Sequence, residues 1–369
     1  MIKILFLIHD LGHGGAEKVL VNLVNYMDKD KFDITVMTLF DEGVNKQFLA
    51  SHIKYKSCFK KSFRGNSHFM KFFSPTLLHK IFIKDIYDIE IAYLEGPSAR
   101  VISGCKNKTT KLISWIHIEQ KSKKRAARSF RSYNESVDCY SKFSKIICVS
   151  EGVRSDFSEL YPLLNTDVLY NTNETEKIVS LSNEIVDNSN FNNLSIKIIG
   201  VGKLLKNKGF DRLARIHCKL RKEGYNIHSY VLGVGDQKKS ITDYIKSQDE
   251  ESTFTLLGYD TNPYKFVSKA DLFICSSHSE GFSTAATEAL IVGTPVCTVE
   301  VAGMKEMLGE NNEYGIVTEN NEEALYEGIK SLLDNPDLLK HYKEKAIERG
   351  KFFSTEKTVK AVEDMLLNL

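Results

Sequence analysis

The chain has 369 residues, 42% of them hydrophobic and 27% charged, and its net charge is only +2. That length suits two ordinary domains, each able to bury its own core, and the near-neutral balance speaks against a dedicated nucleic-acid binder. No apolar run approaches membrane-spanning length. The N-terminus passes straight into a strand rather than a signal peptide. Seven scattered cysteines without a CxxC pair read as reduced structural thiols, with neither a disulfide framework nor a zinc site.

Strand and helix patterns alternate, which predicts parallel sheets with helices on both faces. The first half reads as strand 2–8, helix 15–28, strand 33–40 and a basic region with a helix over 76–84. Strand 89–93, a short helix after Pro97, strand 111–116, a basic helix over 122–141, strand 145–149 and helix 152–160 follow. A break rich in Asn, Ser, Thr and Glu then divides the chain. The expected domains are 1–168 and 194–350, joined by a linker over 169–193. The second domain restarts with strand 195–202 and helix 209–223. Strands near 227–233, 253–257, 271–275, 295–299 and 314–317 then alternate with helices, and a last helix spans about 355–368.

Charge is unevenly placed. Residues 43–84 hold nine Lys or Arg and no acid, which against a whole-chain charge of +2 leaves the remainder near −7. Eight aromatics are interleaved there, from Phe48 to Phe82, and a second basic cluster runs from Lys121 to Arg131. Basic and aromatic residues together suit an anionic lipid surface; the plain alternative is a solvated helix face.

The segment Glu280-Gly281-Phe282-Ser283-Thr284-Ala285-Ala286-Thr287-Glu288 carries the most chemistry. Ser283 is a good N-cap for the apolar helix that follows. Glu280 lies in the loop before it. Glu288 lies inside the helix on the face of Thr284, and helical side chains lean toward the N-terminus, so it reaches back to the mouth of the loop. An acid among Ala, Leu, Ile and Val is costly without partners. Sugar hydroxyls are suitable ones, a nearby lysine is the bland one, and amides at a helix start attract phosphate. The combination points to a nucleotide-sugar site. It resembles the E-x7-E signature of the retaining glycosyltransferases of family 4, and the resemblance covers essentially the whole chain, most strongly over 195–320.

The resemblance implies a GT-B fold, two Rossmann-like parallel-sheet domains facing across a cleft. It places the donor in the C-terminal domain and the acceptor at the N-terminal one, with residues 351–369 crossing back toward the latter. Glu288 then binds ribose hydroxyls and Glu280 the transferred sugar, with the amides of Gly281, Phe282 and Ser283, and Thr284 beside them, near the phosphates. Gly200 to Gly209 is similar to the family's G-R-x4-K-G segment, with Lys203 where Arg is commoner. Lys203 and Lys208 thus stabilise the charge on the leaving diphosphate. Gly233 lies in a glycine turn at the nucleotide, and Tyr259 in the loop that reads the base. The first turn, His9 to Glu17, resembles a G-G-A-E turn that brings Gly14 and Gly15 to the donor phosphate. His117, at a strand end where α/β ligands bind, orients the sugar. His13 stays open as an acceptor-side group.

Two other readings remain. The first turn followed by Asp41 suggests a dinucleotide fingerprint, hence an NAD-dependent oxidoreductase or sugar-nucleotide isomerase. Against it, Glu17 stands where the third glycine belongs. The other is a non-catalytic donor-binding partner of another transferase. The family resemblance favours transfer of a hexose-type sugar from a UDP-linked donor, with retention, no cofactor and no metal. The acceptor is then a glycan or lipid-linked glycan of cell-surface polysaccharide synthesis. The expected location is the cytoplasm, at the inner face of the membrane.

Overall fold

The computed structural model describes residues 1–63, 65–186, 191 and 194–369, apart from the side chains of Ser67 and His68. It divides into two units, Met1–Asn173 with Thr355–Leu369, and Glu174–Ser354.

The first unit is built on a parallel sheet of β1 (Ile2–Ile8), β2 (Phe32–Phe40), β3 (Lys54–Phe59), β4 (Ile89–Ala92), β5 (Lys111–Ile116), β6 (Lys145–Cys148) and β7 (Thr166–Val168). Their order across the sheet is β3-β2-β1-β4-β5-β6-β7. In β1, Ile4 to Ile8 are all fully buried, the continuous apolar run of a strand covered on both faces. Helix Gly15–Tyr26 covers it with Val19, Leu20, Leu23 and Val24. Strand order reverses between β1 and β4, and such a switch point is where α/β sheets bind ligands, at the carboxyl ends of the strands.

Two strands here were not anticipated. Among the described residues β3 pairs only with β2, and its lysines mark it as an edge strand; β7 is the three-residue edge on the other side. The basic helix expected over 122–141 is two helices, Lys123–Ala126 and Tyr133–Tyr140. Ser132 separates them because its hydroxyl caps the second, accepting from Glu135 N.

The second unit carries β8 (Ile196–Val201), β9 (Ile227–Leu232), β10 (Phe254–Gly258), β11 (Leu272–Cys275), β12 (Val296–Val299) and β13 (Ile316–Thr318). All are parallel, in the order β10-β9-β8-β11-β12-β13. The switch point falls between β8 and β11. The stretch expected as a linker contains helix Thr175–Ser182, which belongs to this unit. The last helix, Thr355–Leu367, returns to the first unit. There Thr355 Oγ1 donates to Asn173 O at 2.6 Å, and Asp28 N donates to Glu363 Oε1 at 2.6 Å.

Candidate active site

In the second unit, the loops leaving β8 and β11 at the switch point are the ones that stand out in the sequence. They are laced together through their backbones: His278 N donates to Asn207 O at 2.7 Å, and Ser276 Oγ to Lys208 O at 3.0 Å. Gly209 permits this approach. It holds φ +66°, and a Cβ there would stand 2.0 Å from Ser276 O, so a larger residue has to move the loop.

The lacing delivers Lys208 Nζ to 2.6 Å from Glu280 Oε1, where Ser277 Oγ also donates at 2.6 Å. Burial works against the Lys208 charge, but the charge of Glu280 and its hydrogen bond outweigh it and hold the ammonium above the ordinary lysine range. From sequence, Glu280 was expected on a sugar and Lys208 on a diphosphate; in the structure they are partners of each other. The pairing exhausts neither. Among the described residues every donor to Glu280 falls on Oε1, and Lys208 uses one of its three N–H groups.

Helix Thr284–Ile291 starts directly after this loop, with Ser283 Oγ accepting from Ala286 N. Gly281 and Phe282 are buried in the turn, and the Phe282 ring stands edge-on to Phe353 at 5.7 Å. Thr284 is partly exposed. Glu288 is buried, with Tyr264 Oη 3.4 Å from its Oε1. Lys203 is exposed and makes no ion pair among the described residues. Gly233 ends β9 so tightly that a Cβ would lie 1.8 Å from Gly202 O, and Tyr259, just past β10, has half its surface exposed. Unanticipated were Arg212 and His278. Arg212, buried, donates to His278 Nδ1 at 2.5 Å and to Asn320 Oδ1 at 3.1 Å. Burial first, then the Arg212 charge, lowers the His278 pKa, so the imidazole serves as a neutral acceptor propping the loop.

In the first unit, the Glu17 carboxylate folds onto Gly14, where a Cβ would lie 1.9 Å from Oε2. An anion approaching the amides of Gly14 and Gly15 therefore competes with Glu17. Asp41, the ribose-binding acid of the dinucleotide reading, is engaged by Lys46 Nζ at 2.6 Å and Tyr55 Oη at 2.8 Å. His13 is exposed.

His117 follows β5. Its Nε2 is buried without a hydrogen-bond partner, its ring packs against Tyr93 at 4.8 Å, and burial pulls its pKa down to about 3. A buried neutral nitrogen with nothing to bind demands an explanation, and a ligand supplies one. The backbone N–H of His117 donates to Glu95 Oε2 at 2.9 Å, and burial raises the Glu95 pKa. Glu95 follows β4 at this unit's switch point; its sequence signal, an acid before Gly96 just past a buried strand, is too common to single it out.

Residues 182–349, which include both loops just described, match the family model "Glycosyl transferases group 1". The whole chain is similar to an N-acetylgalactosamine-N,N'-diacetylbacillosaminyl-diphospho-undecaprenol 4-alpha-N-acetylgalactosaminyltransferase of Campylobacter jejuni, at 28% identity over 97% of each chain. Among solved structures it is similar to the Anabaena protein HepE in complex with UDP and glucose, with a TM-score of 0.78, 17% identity and full coverage of both chains. It is also similar to TarM of S. aureus bound to UDP, with a TM-score of 0.74, 16% identity and 99% coverage of each. Residues 182–349 are thus similar to the group 1 glycosyl transferases, and the two parallel sheets share the GT-B fold of the solved structures.

Proposed function

We propose that the protein transfers a sugar, with retention, from a UDP-linked donor to a lipid-linked glycan in the synthesis of a bacterial surface polysaccharide. The observation that carries this reading is the Lys208–Glu280 pair at the switch point of the second sheet, each partner with binding capacity left over. Glu280 Oε2 accepts a hydroxyl of the transferred sugar. The remaining N–H groups of Lys208, with Lys203 nearby in sequence, stabilise the charge that grows on the departing diphosphate. Glu288 holds the ribose, Tyr259 meets the base, and the amides of Gly281 to Ser283 face the phosphates. His117, neutral, is left to accept from a ligand hydroxyl at the first unit's switch point. In this reading the acceptor hydroxyl attacks the face the diphosphate leaves, and the leaving phosphate takes its proton.

The Campylobacter relative's substrate supports a diphospho-polyprenol acceptor, and the ligands of the two solved neighbours support UDP. The engaged Asp41 and the Glu17 carboxylate over Gly14 disfavour a dinucleotide at the first turn. Incubation with UDP-sugars and an undecaprenyl-diphosphate-linked sugar tests the proposal: UDP release with an axial glycosidic bond, read by NMR of the product, supports it. Product of inverted configuration refutes the mechanism; tight donor binding without turnover in the presence of acceptor refutes the activity.

We also propose that residues 43–84 dock on an anionic leaflet. Lys60, Lys61 and Lys71 make no ion pair among the described residues, whereas Lys46, Lys54 and Lys56 are held by Asp41, Asp33 and Asp85. Phe59, Phe63, Phe69 and Phe73 stack in an edge-to-face series, with Phe72 beside it 81% exposed. Among the described residues no helix is long and apolar enough to cross a membrane. At low salt, more protein should sediment with vesicles containing anionic lipid than with neutral ones; equal sedimentation removes the proposal.

A further inference from the structure

Away from the switch point, at the opposite end of the first sheet, three metal-binding side chains converge. Glu90 is the second residue of β4, and its carboxylate is 98% buried. His79, from helix Pro75–Phe82, places Nε2 2.7 Å from Glu90 Oε2. Cys105, in the turn after helix Pro97–Ile102, places Sγ 3.9 Å from Glu90 Oε1. One ligand atom from each lies within 4.8 Å of the others. All three line a cavity of about 480 Å³.

A buried carboxylate needs a counter-charge, and among the described residues His79 and Cys105 are the side chains that reach this one. Sulfur, imidazole nitrogen and carboxylate oxygen form a borderline-soft donor set, suited to Zn²⁺. Ligands at about 2.0–2.3 Å from a tetrahedral zinc stand roughly 3.5 Å apart. The observed spacings, 2.7 Å from His79 to Glu90 Oε2 and 3.9 Å from Cys105 to Glu90 Oε1, with all three ligand atoms within 4.8 Å, lie around that value. The cavity leaves room for a fourth ligand. Lys80, Lys84 and Lys106 also line it, against the single further acid Asp85, a net positive surround that favours an anion or hydroxide in that position.

We propose that His79, Glu90 and Cys105 form a zinc site that pins a helix, a strand and a turn of the first unit together. It departs from the reading of the cysteines as forming no zinc site, which rested on the missing CxxC pair; here the donors come from three separate elements. The site is structural. It sits at the amino end of β4, whereas Glu95 and His117 follow the carboxyl ends of β4 and β5, so the transfer chemistry remains metal-free in this scheme.

The test is titration of the metal-free full-length protein with Co²⁺. One equivalent should bind with a near-ultraviolet thiolate-to-cobalt charge-transfer band, and Zn²⁺ should abolish that band. Cys105→Ser should lose the band and weaken binding roughly 100-fold or more, beyond the 10–100-fold cost of an outer-shell partner. His79→Gln should weaken binding comparably, and decides the matter if the serine variant does not fold. Cys58→Ser should bind as wild type does. Absence of the band in wild type, or binding unchanged in both ligand variants, overturns the proposal and leaves a metal-free His79–Glu90 ion pair.

Discussion

Lys208 and Glu280 stand 72 residues apart in sequence and 2.6 Å apart in the fold. Because Glu280 Oε1 is already held by Lys208 and Ser277, the carboxylate is oriented in advance of the sugar proposed for it. Glu280→Gln keeps the shape and removes the charge, so kcat/KM should fall roughly 10- to 100-fold, the scale of a hydrogen bond to a charged group. Inhibition by UDP alone should change little, because the sugar contact is what is lost. Steady-state kinetics with UDP as a competitive inhibitor checks both outcomes. Gly209→Val should cost about 1–3 kcal/mol from its φ of +66°, with more from the clash at Ser276 O, and should lower activity by parting the two loops. Thermal unfolding beside turnover reads both. The two acids and Lys208 were legible in the sequence as a motif. Their pairing was not, because it depends on β8 and β11 being neighbours, which only the strand order decides. Glu95 and the His79–Glu90–Cys105 cluster escaped for the same reason: their meaning arises from elements brought together, not from local spacing.

At the scale of elements, the alternation of strands and helices was readable because each buried strand carries a continuous apolar run between turn residues. β3 was hidden by its own chemistry. Lys54, Lys56 and the flanking Lys60 and Lys61 made it look like part of a solvated basic patch, whereas edge strands use lysines to block further pairing. Helix Phe210–Lys222 illustrates how a buried polar group fixes an element. Its His217 is fully buried, with Nδ1 2.8 Å from Ser229 Oγ on β9 and Nε2 3.0 Å from Thr253 Oγ1. Burial lowers its pKa to about 3, from an ordinary value of 6.5. The folded state therefore favours the neutral ring. The associated stability is present above pH 6.5 and is lost as pH falls from there toward 3. At pH 5 the loss from His217 amounts to about 2 kcal/mol. Urea unfolding between pH 7 and 5 should show the second unit losing stability, with a smaller loss in His217→Asn. Identical pH profiles for the two proteins would contradict this role.

For the whole molecule, the same device appears twice. Each unit is a parallel sheet whose order reverses at a single point among the described residues, and each presents chemistry on the loops beyond that point: Glu95 and the glycine turn in one, Lys208 and Glu280 in the other. The return of Thr355–Leu367 to the first unit ties the end of the chain to its beginning. The family match covers the second unit's loops, where the proposed function puts the sugar-nucleotide chemistry. The most direct measurement is the turnover number of Lys208→Ala with saturating donor and acceptor. If the ammonium stabilises the departing diphosphate, kcat falls by roughly two or more orders of magnitude while the protein stays folded. Turnover near the wild-type rate would mean that Lys208 serves only to neutralise Glu280, and that the leaving group is stabilised elsewhere.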